Sequence, residues 1–147
     1  MKQYPEKLDK IVHFFESFED EGKRENLLSY AERFHLFLAQ EDDVFDLYDI
    51  RHDKECVDEV GIFLKVDPHN KAKIRMSLGD KVQTLTRALS AIMCEGFSGA
   101  KVKEILQTKE DFVPKIIGAQ LVRARSQTMY YVFRRIQEIC QKYERLS

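Results

Sequence analysis

The stretch Asp49–Asp67, DIRHDKECVDEVGIFLKVD, joins a polar-flanked cysteine, Cys56, to the strongest strand signal in the sequence. Val60, Ile62, Leu64 and Val66 alternate with Gly61, Phe63 and Lys65, so one face of an extended chain there is wholly apolar. A thiol a few residues before that strand belongs to a loop whose position the sheet fixes. Loops held by a rigid scaffold are where binding and reactive residues concentrate.

Beyond the strand, Asp67-Pro68-His69-Asn70 has proline at the second position of a turn, which presets its backbone angle and predicts a hairpin. Ala72, Ile74 and Met76 then alternate with Lys71, Lys73 and Arg75, the pattern of a half-exposed antiparallel strand. Before Cys56, the acidic run Glu41–Asp49 reads as an exposed crossing, with a short edge strand over Leu47–Arg51.

Helical periodicity flanks this sheet on both sides. Pro5 suits a first turn, and Leu8, Ile11, Val12, Phe15 and Phe18 follow at helical spacing until Gly22. A second helix is expected from Arg24 to Ala39, with Leu27, Leu28, Ala31, Phe34 and Leu38 inward. After the sheet, Asp80 is the expected cap of a helix carrying Val82, Leu85, Leu89, Ile92 and Met93. Gly96 and Gly99 end it, and Ser98 caps a short helix with Val102, Ile105 and Leu106 inside. Asp111–Gly118 reads as a linker, and a last helix is expected over Ala119–Tyr143. Helices, a small antiparallel sheet of about three strands, then more helices make an α+β two-layer fold, read as a single domain over residues 1–147.

Composition narrows the function classes. The 147 residues are 44% hydrophobic, enough for a sizeable core, and the net charge of -1 argues against nucleic-acid and general membrane-surface binding. No apolar run approaches the roughly 20 residues that span a bilayer. The opening MKQYPEKLDK lacks the apolar centre of a signal peptide, so the expected location is cytoplasmic. Three cysteines without a CxxC pair do not form a secreted disulfide framework. No HExxH, Gly-rich phosphate loop or GxSxG element is present, and neither a metal nor another cofactor is expected.

The cysteines separate by context. Cys94 follows Met93 near an apolar helical face, and Cys140 lies between Ile136 and Tyr143 on the inward stripe of the last helix, so both read as small core residues. Cys56 stands among Asp53, Lys54, Glu55, Asp58 and Glu59, and no amphipathic pattern accounts for it. His52, four residues earlier, is either an activator of that thiol or a solvated loop residue. Arg123, Arg125, Arg134 and Arg135 read as a solvated face, although the first two stand near a helix start.

In the order in which they occur, these elements resemble the SufE-type sulfur-acceptor family. There, a Gly-Cys-Gln-Ser or Glu-Cys-Gln-Thr loop leads into an apolar strand, as Cys56 does here. Phe97-Ser98-Gly99 with Glu104-Ile105 is similar to the family's small-residue turn, and Ala124-Arg125-Ser126-Gln127-Thr128 matches its arginine element at Arg-Ser-Gln. The resemblance covers residues 6–143 and implies a SufE/NifU-like fold. It also implies a persulfide carrier that takes sulfur from a pyridoxal-phosphate cysteine desulfurase and passes it to an iron-sulfur scaffold, needing no cofactor of its own. Cys56 is then the persulfide acceptor, with Arg125 near its loop and His52 in support. The chain departs from the family at Val57, Asp58 and Glu59, and at Thr128 in place of glycine. Those changes admit an alternative, a non-transferring adaptor of the same fold that binds a desulfurase or another partner.

Overall fold

Along β2 (Glu59–Val66), Val60, Ile62 and Leu64 are buried while Phe63 and Lys65 point the other way, the alternation that the sequence predicts. The computed structural model describes residues 3–52 and 59–147, with residues 119–129 described by their backbone alone. β2 is the central strand of a three-stranded antiparallel sheet, between β1 (Leu47–His52) and β3 (Ala72–Leu78). The register sets Leu47 and Ile74 on either side of Leu64, and Asp49 and Met76 on either side of Ile62. Asp67 closes the β2–β3 hairpin. Its Oδ1 accepts the N–H groups of His69 at 2.8 Å and Lys71 at 2.9 Å, and Asn70 takes the left-handed φ of 64° that asparagine tolerates. Those two N–H bonds, Lys71's first, hold the Asp67 carboxyl below its ordinary pKa.

Helices cover one side of this sheet, giving the α+β architecture. α1 (Glu6–Glu16), α2 (Asp20–Glu32) and a 3₁₀ turn (Arg33–Phe37) precede it; α3 (Thr84–Gly96), α4 (Val102–Gln107), α5 (Phe112–Ile117) and α6 (Ala119–Leu146) follow. Leu89, Ile92, Met93 and Cys94 of α3 are buried, and so are Leu8 and Phe15 of α1 and Phe133, Ile136 and Cys140 of α6. Burying each large apolar side chain of this kind stabilises the fold by about 1.5–3 kcal/mol. The opposite face of the sheet carries a row of rings: Phe63 lies 5.2 Å from Phe45 and stacks at 5.8 Å on Tyr48.

Several boundaries differ from the sequence expectations. Gly22 does not break a helix: it lies inside α2, and the break falls at Ser17–Glu19, where the Ser17 hydroxyl donates to the Phe14 carbonyl at 2.6 Å. α2 stops at Glu32 and tightens into the 3₁₀ turn; Leu28, on the outer face of α2, and Leu38, just past the turn, are exposed while Leu27, Ala31 and Phe34 are buried. Asp80 caps nothing: α3 begins at Thr84 behind Gln83, and Val82 is buried in the connection. Lys101, not Ser98, precedes α4, and the Glu104 carboxylate reaches back to its N–H at 2.9 Å. Residues 112–117 form α5 because Phe112, Val113, Ile116 and Ile117 make one apolar face, and Pro114 sits in the first turn, where its missing N–H has no partner to lose. α6 continues three residues past the expected Tyr143, to Leu146.

α1 crosses α3 at Gly96. A methyl group there would stand 2.9 Å from Leu8 Cδ1 and 3.2 Å from its Cα, and backbone cannot yield as a side-chain tip does. Gly96→Ala is therefore expected to destabilise the protein by about 1–3 kcal/mol, because overpacking outweighs the gain in helix propensity. Urea unfolding of the two proteins measures it; a more stable variant would show that the helices can separate at no cost.

Candidate functional site

The strand ends His52 and Glu59 are Cα partners in the ladder, so the β1–β2 hairpin is held as far as the neck from which residues 53–58 leave and return. Cys56 lies outside the described residues. Arg125 falls within α6, with its side chain likewise outside them, so its expected proximity to Cys56 is not among the described contacts. His52 is the exposed last residue of β1.

What fixes the neck is an arginine. Arg135 of α6 is 2% exposed, and its guanidinium donates to the Val60 carbonyl at 2.9 Å and to the Asp49 carbonyl at 2.8 Å. The Asp49 carboxylate is 3.5 Å away. One planar group thus bridges the two strands on either side of the neck, a task suited to the fixed fork of guanidinium donors. Arg51, one residue before the end of β1, extends the cluster outward, 3.3 Å from Asp49 and 2.9 Å from Glu138 of α6. From the other side, the Glu59 carbonyl accepts the Gly79 N–H at 2.9 Å, tying the end of β3 to the start of β2.

Arg135 is the residue whose role the charge pattern concealed. The expectation of a solvated arginine face holds for Arg134, which is half-exposed and 3.3 Å from Glu110, and fails for its neighbour. The signal lay in the spacing: Arg135 stands three residues after Val132 and four before Ile139, on the buried stripe.

The two remaining cysteines are inert by environment. Cys94 and Cys140 are fully buried in α3 and α6, as their context predicts, and burial pushes each thiol up to about 12. Among the described residues no cluster of histidine, cysteine, aspartate and glutamate could hold a metal ion, and no helix is long and apolar enough to cross a membrane. Open cavities lie elsewhere among the described residues. An apolar groove of about 470 Å³ between α2 and α3 is lined by Leu27, Leu28, Leu85 and Ala88 with Thr84 and Gln83, and brings no cysteine, histidine or carboxylate. A polar one of about 560 Å³ beside α1 includes Tyr4 and Lys115, where Lys115 donates to the Tyr4 oxygen at 2.9 Å and Tyr4 donates to Asp111 at 2.7 Å. Tyr4 is buried and packs edge-on against Phe112, so these bonds fasten the start of the chain.

The model of the SufE family, described as an Fe-S metabolism associated domain, matches residues 9–140. A solution structure of a hypothetical protein from Thermus thermophilus is similar with a TM-score of 0.74 at 18% identity, covering 95% of this chain and 96% of that one. A crystal structure of the N-terminal part of a nitrogen-fixing NifU-like protein from Brucella abortus is similar with a TM-score of 0.65 at 16% identity, covering 83% and 94%. At such identities the likeness establishes the fold. The comparison with curated proteins gives no match.

Two outcomes test this description. Replacing Arg135 by methionine keeps most of the volume and removes the bonds to both strands; a loss of about 2–4 kcal/mol is expected, with Arg135→Lys recovering only part of it. Denaturant unfolding gives the values, and full recovery by lysine would show that charge, not the fork, holds the neck. For the buried thiols, at pH 8 Cys94 and Cys140 are expected to resist iodoacetamide until the protein unfolds, since pKa values of about 12 leave a thiolate fraction on the order of 10⁻⁴. Unfolded cysteines ionise near pH 8.5, so stability is expected to fall as pH rises from there toward 12, the unfolded chain being the one that has lost protons. Mass-mapped labelling and pH-dependent unfolding check both statements.

Proposed function

Because the chain belongs to the SufE family of Fe-S metabolism associated domains, we propose that it is a persulfide carrier using Cys56. One observation supports this most directly. Of the three cysteines, Cys94 and Cys140 are sealed in the core with their thiols pushed up to about 12, which leaves Cys56 to do thiol chemistry. The clasp made by Arg135, Asp49 and Val60 supports the reading further, because a carrier must present its thiol from a defined base.

The step needs no cofactor. The Cys56 thiolate attacks the outer sulfur of a persulfide held on the donor's cysteine, the donor's S–S bond breaks, and the donor leaves as a thiolate while a persulfide forms on Cys56. Bonds and electrons balance, and the acceptor's proton goes to solvent. The donor is a pyridoxal-phosphate cysteine desulfurase and the downstream acceptor an iron-sulfur scaffold. His52, at the exposed end of β1, is the nearest described imidazole in sequence to assist deprotonation, and Arg125 is the family's loop arginine.

The adaptor reading has one feature in its favour, the acidic surround of Asp53, Glu55, Asp58 and Glu59. Carboxylates near a thiol raise its pKa and repel anionic donors. Incubation with a desulfurase and cysteine, followed by mass mapping, separates the two. Wild-type protein is expected to gain sulfur on Cys56, and Cys56→Ser none. Asp58→Ser with Glu59→Gln is expected to speed single-turnover transfer by about two- to fourfold at low salt, less at high salt. Uptake by Cys56→Ser equal to wild type would end the carrier reading; a slower double variant would favour the adaptor.

A further inference from the structure

The two outer edges of the sheet are treated differently. Along β3 the outward edge is covered at Ala72 and Met76: the Met76 carbonyl accepts from Ala39 at 3.0 Å, while Ala72 donates to Ala100 at 2.7 Å and accepts from Gly99 at 2.9 Å. Among the described residues β1 has no such cover. Glu59 bonds to Gly79 beyond β3, so odd-numbered residues of β2 face β3 and even-numbered ones face β1. The even-numbered residues of β2 stand opposite Leu47, Asp49 and Arg51. The N–H and C=O groups of Tyr48, Ile50 and His52 therefore point away from the sheet, and no partner for them occurs among the described residues. Their side chains are open as well, Tyr48 at 66% and Ile50 at 45% exposure. An uncovered edge with large apolar side chains and neither proline nor lysine is a template for another strand.

We propose that β1 pairs antiparallel with β1 of a second copy of this chain, about a two-fold axis at Ile50, joining the two three-stranded sheets into one. The charges choose this occupant and this register. A pairing of identical strands must be self-complementary. Centred on Ile50, Asp49 of each copy faces Arg51 of the other, Tyr48 faces His52, and Ile50 faces Ile50. Centred one residue earlier, Asp49 meets Asp49; one residue later, Arg51 meets Arg51. Opposite charges directly across an antiparallel pair are favourable and like charges are not. The side chains of Asp49 and Arg51 are 45% and 41% exposed and already meet within one chain at 3.3 Å, so pairing closes a ring of four alternating charges. Tyr48 of the second copy then stands beside His52, at the base of the stretch that carries Cys56.

Sedimentation velocity from low micromolar to submillimolar protein tests this. The mass is expected to rise toward twice 17.3 kDa. Ile50→Pro removes an N–H that the chain's own sheet does not use, and is expected to weaken dimerisation about tenfold or more with an unchanged circular dichroism spectrum. Should Ile50→Pro unfold, Ile50→Lys, which places like charges across the axis, gives the same readout. In the wild-type dimer the amides of Tyr48, Ile50 and His52 are expected to gain hydrogen-exchange protection. A chain that stays monomeric throughout, or a dimer that both substitutions leave intact, overturns the proposal. So does protection of those amides that arises only on adding a different protein, which would assign the edge to that protein.

Discussion

Everything in this molecule leans on the apolar side of β2. Val60, Ile62 and Leu64 are all but sealed from solvent, and a central strand can be so only if both neighbours pair with it and helices close the face. A shift of one residue in either ladder would carry all three into water and bring Phe63 and Lys65 into the core. The register is therefore held with the strength of the whole core. The exit point of the stretch carrying Cys56, at His52 and Glu59, inherits that precision.

Arg135 transmits the same constraint to α6. Burying a guanidinium costs free energy, and here carbonyls of two different strands accept from its two terminal nitrogens, beside the Asp49 carboxylate. The clasp is complete only when α6, β1 and β2 are all in place, so it favours one arrangement of the three. It also explains why a helix so largely charged along its outer side docks where it does. Within this frame the three thiols are divided by their company: two lie in an apolar core that suppresses ionisation, and one has polar neighbours in the sequence. That division, rather than any cluster of catalytic groups, is what gives the carrier reading its physical basis.

Much of this was legible from the chain. The alternation over 60–66 and 72–76, the turn at Pro68 and the helical spacing around them led to the α+β fold, and the apolar neighbours of Cys94 and Cys140 led to their burial. The errors share a cause. Gly22, Asp80, Ser98 and the segment around Pro114 each carry a local preference that a competing contact outweighs: local hydrogen bonds at Ser17 and Lys101 set two of the helix ends, and burial of one face makes α5 a helix. A residue that ends a helix in isolation does not end one whose next turn is buried, as α5 shows on Phe97 and Phe133.

The order of residues set the periodicities, and with them which faces must be buried, since side-chain alternation and helical spacing are properties of the backbone. It also set the chemistry available: three thiols, one of them in polar company, and a family likeness that matches residues 9–140. Which charges are structural was settled only on folding. Arg134 and Arg135 are adjacent and identical as letters, yet one meets solvent and the other joins α6 to β1 and β2. Which edge of the sheet is covered was settled there too, by Ala39, Gly99 and Ala100, which meet β3, while no described residue bonds to the outer edge of β1. The reason is common to both. Burial and pairing are relations between elements far apart along the chain, and no local pattern encodes the neighbour that a side chain or a strand edge will meet.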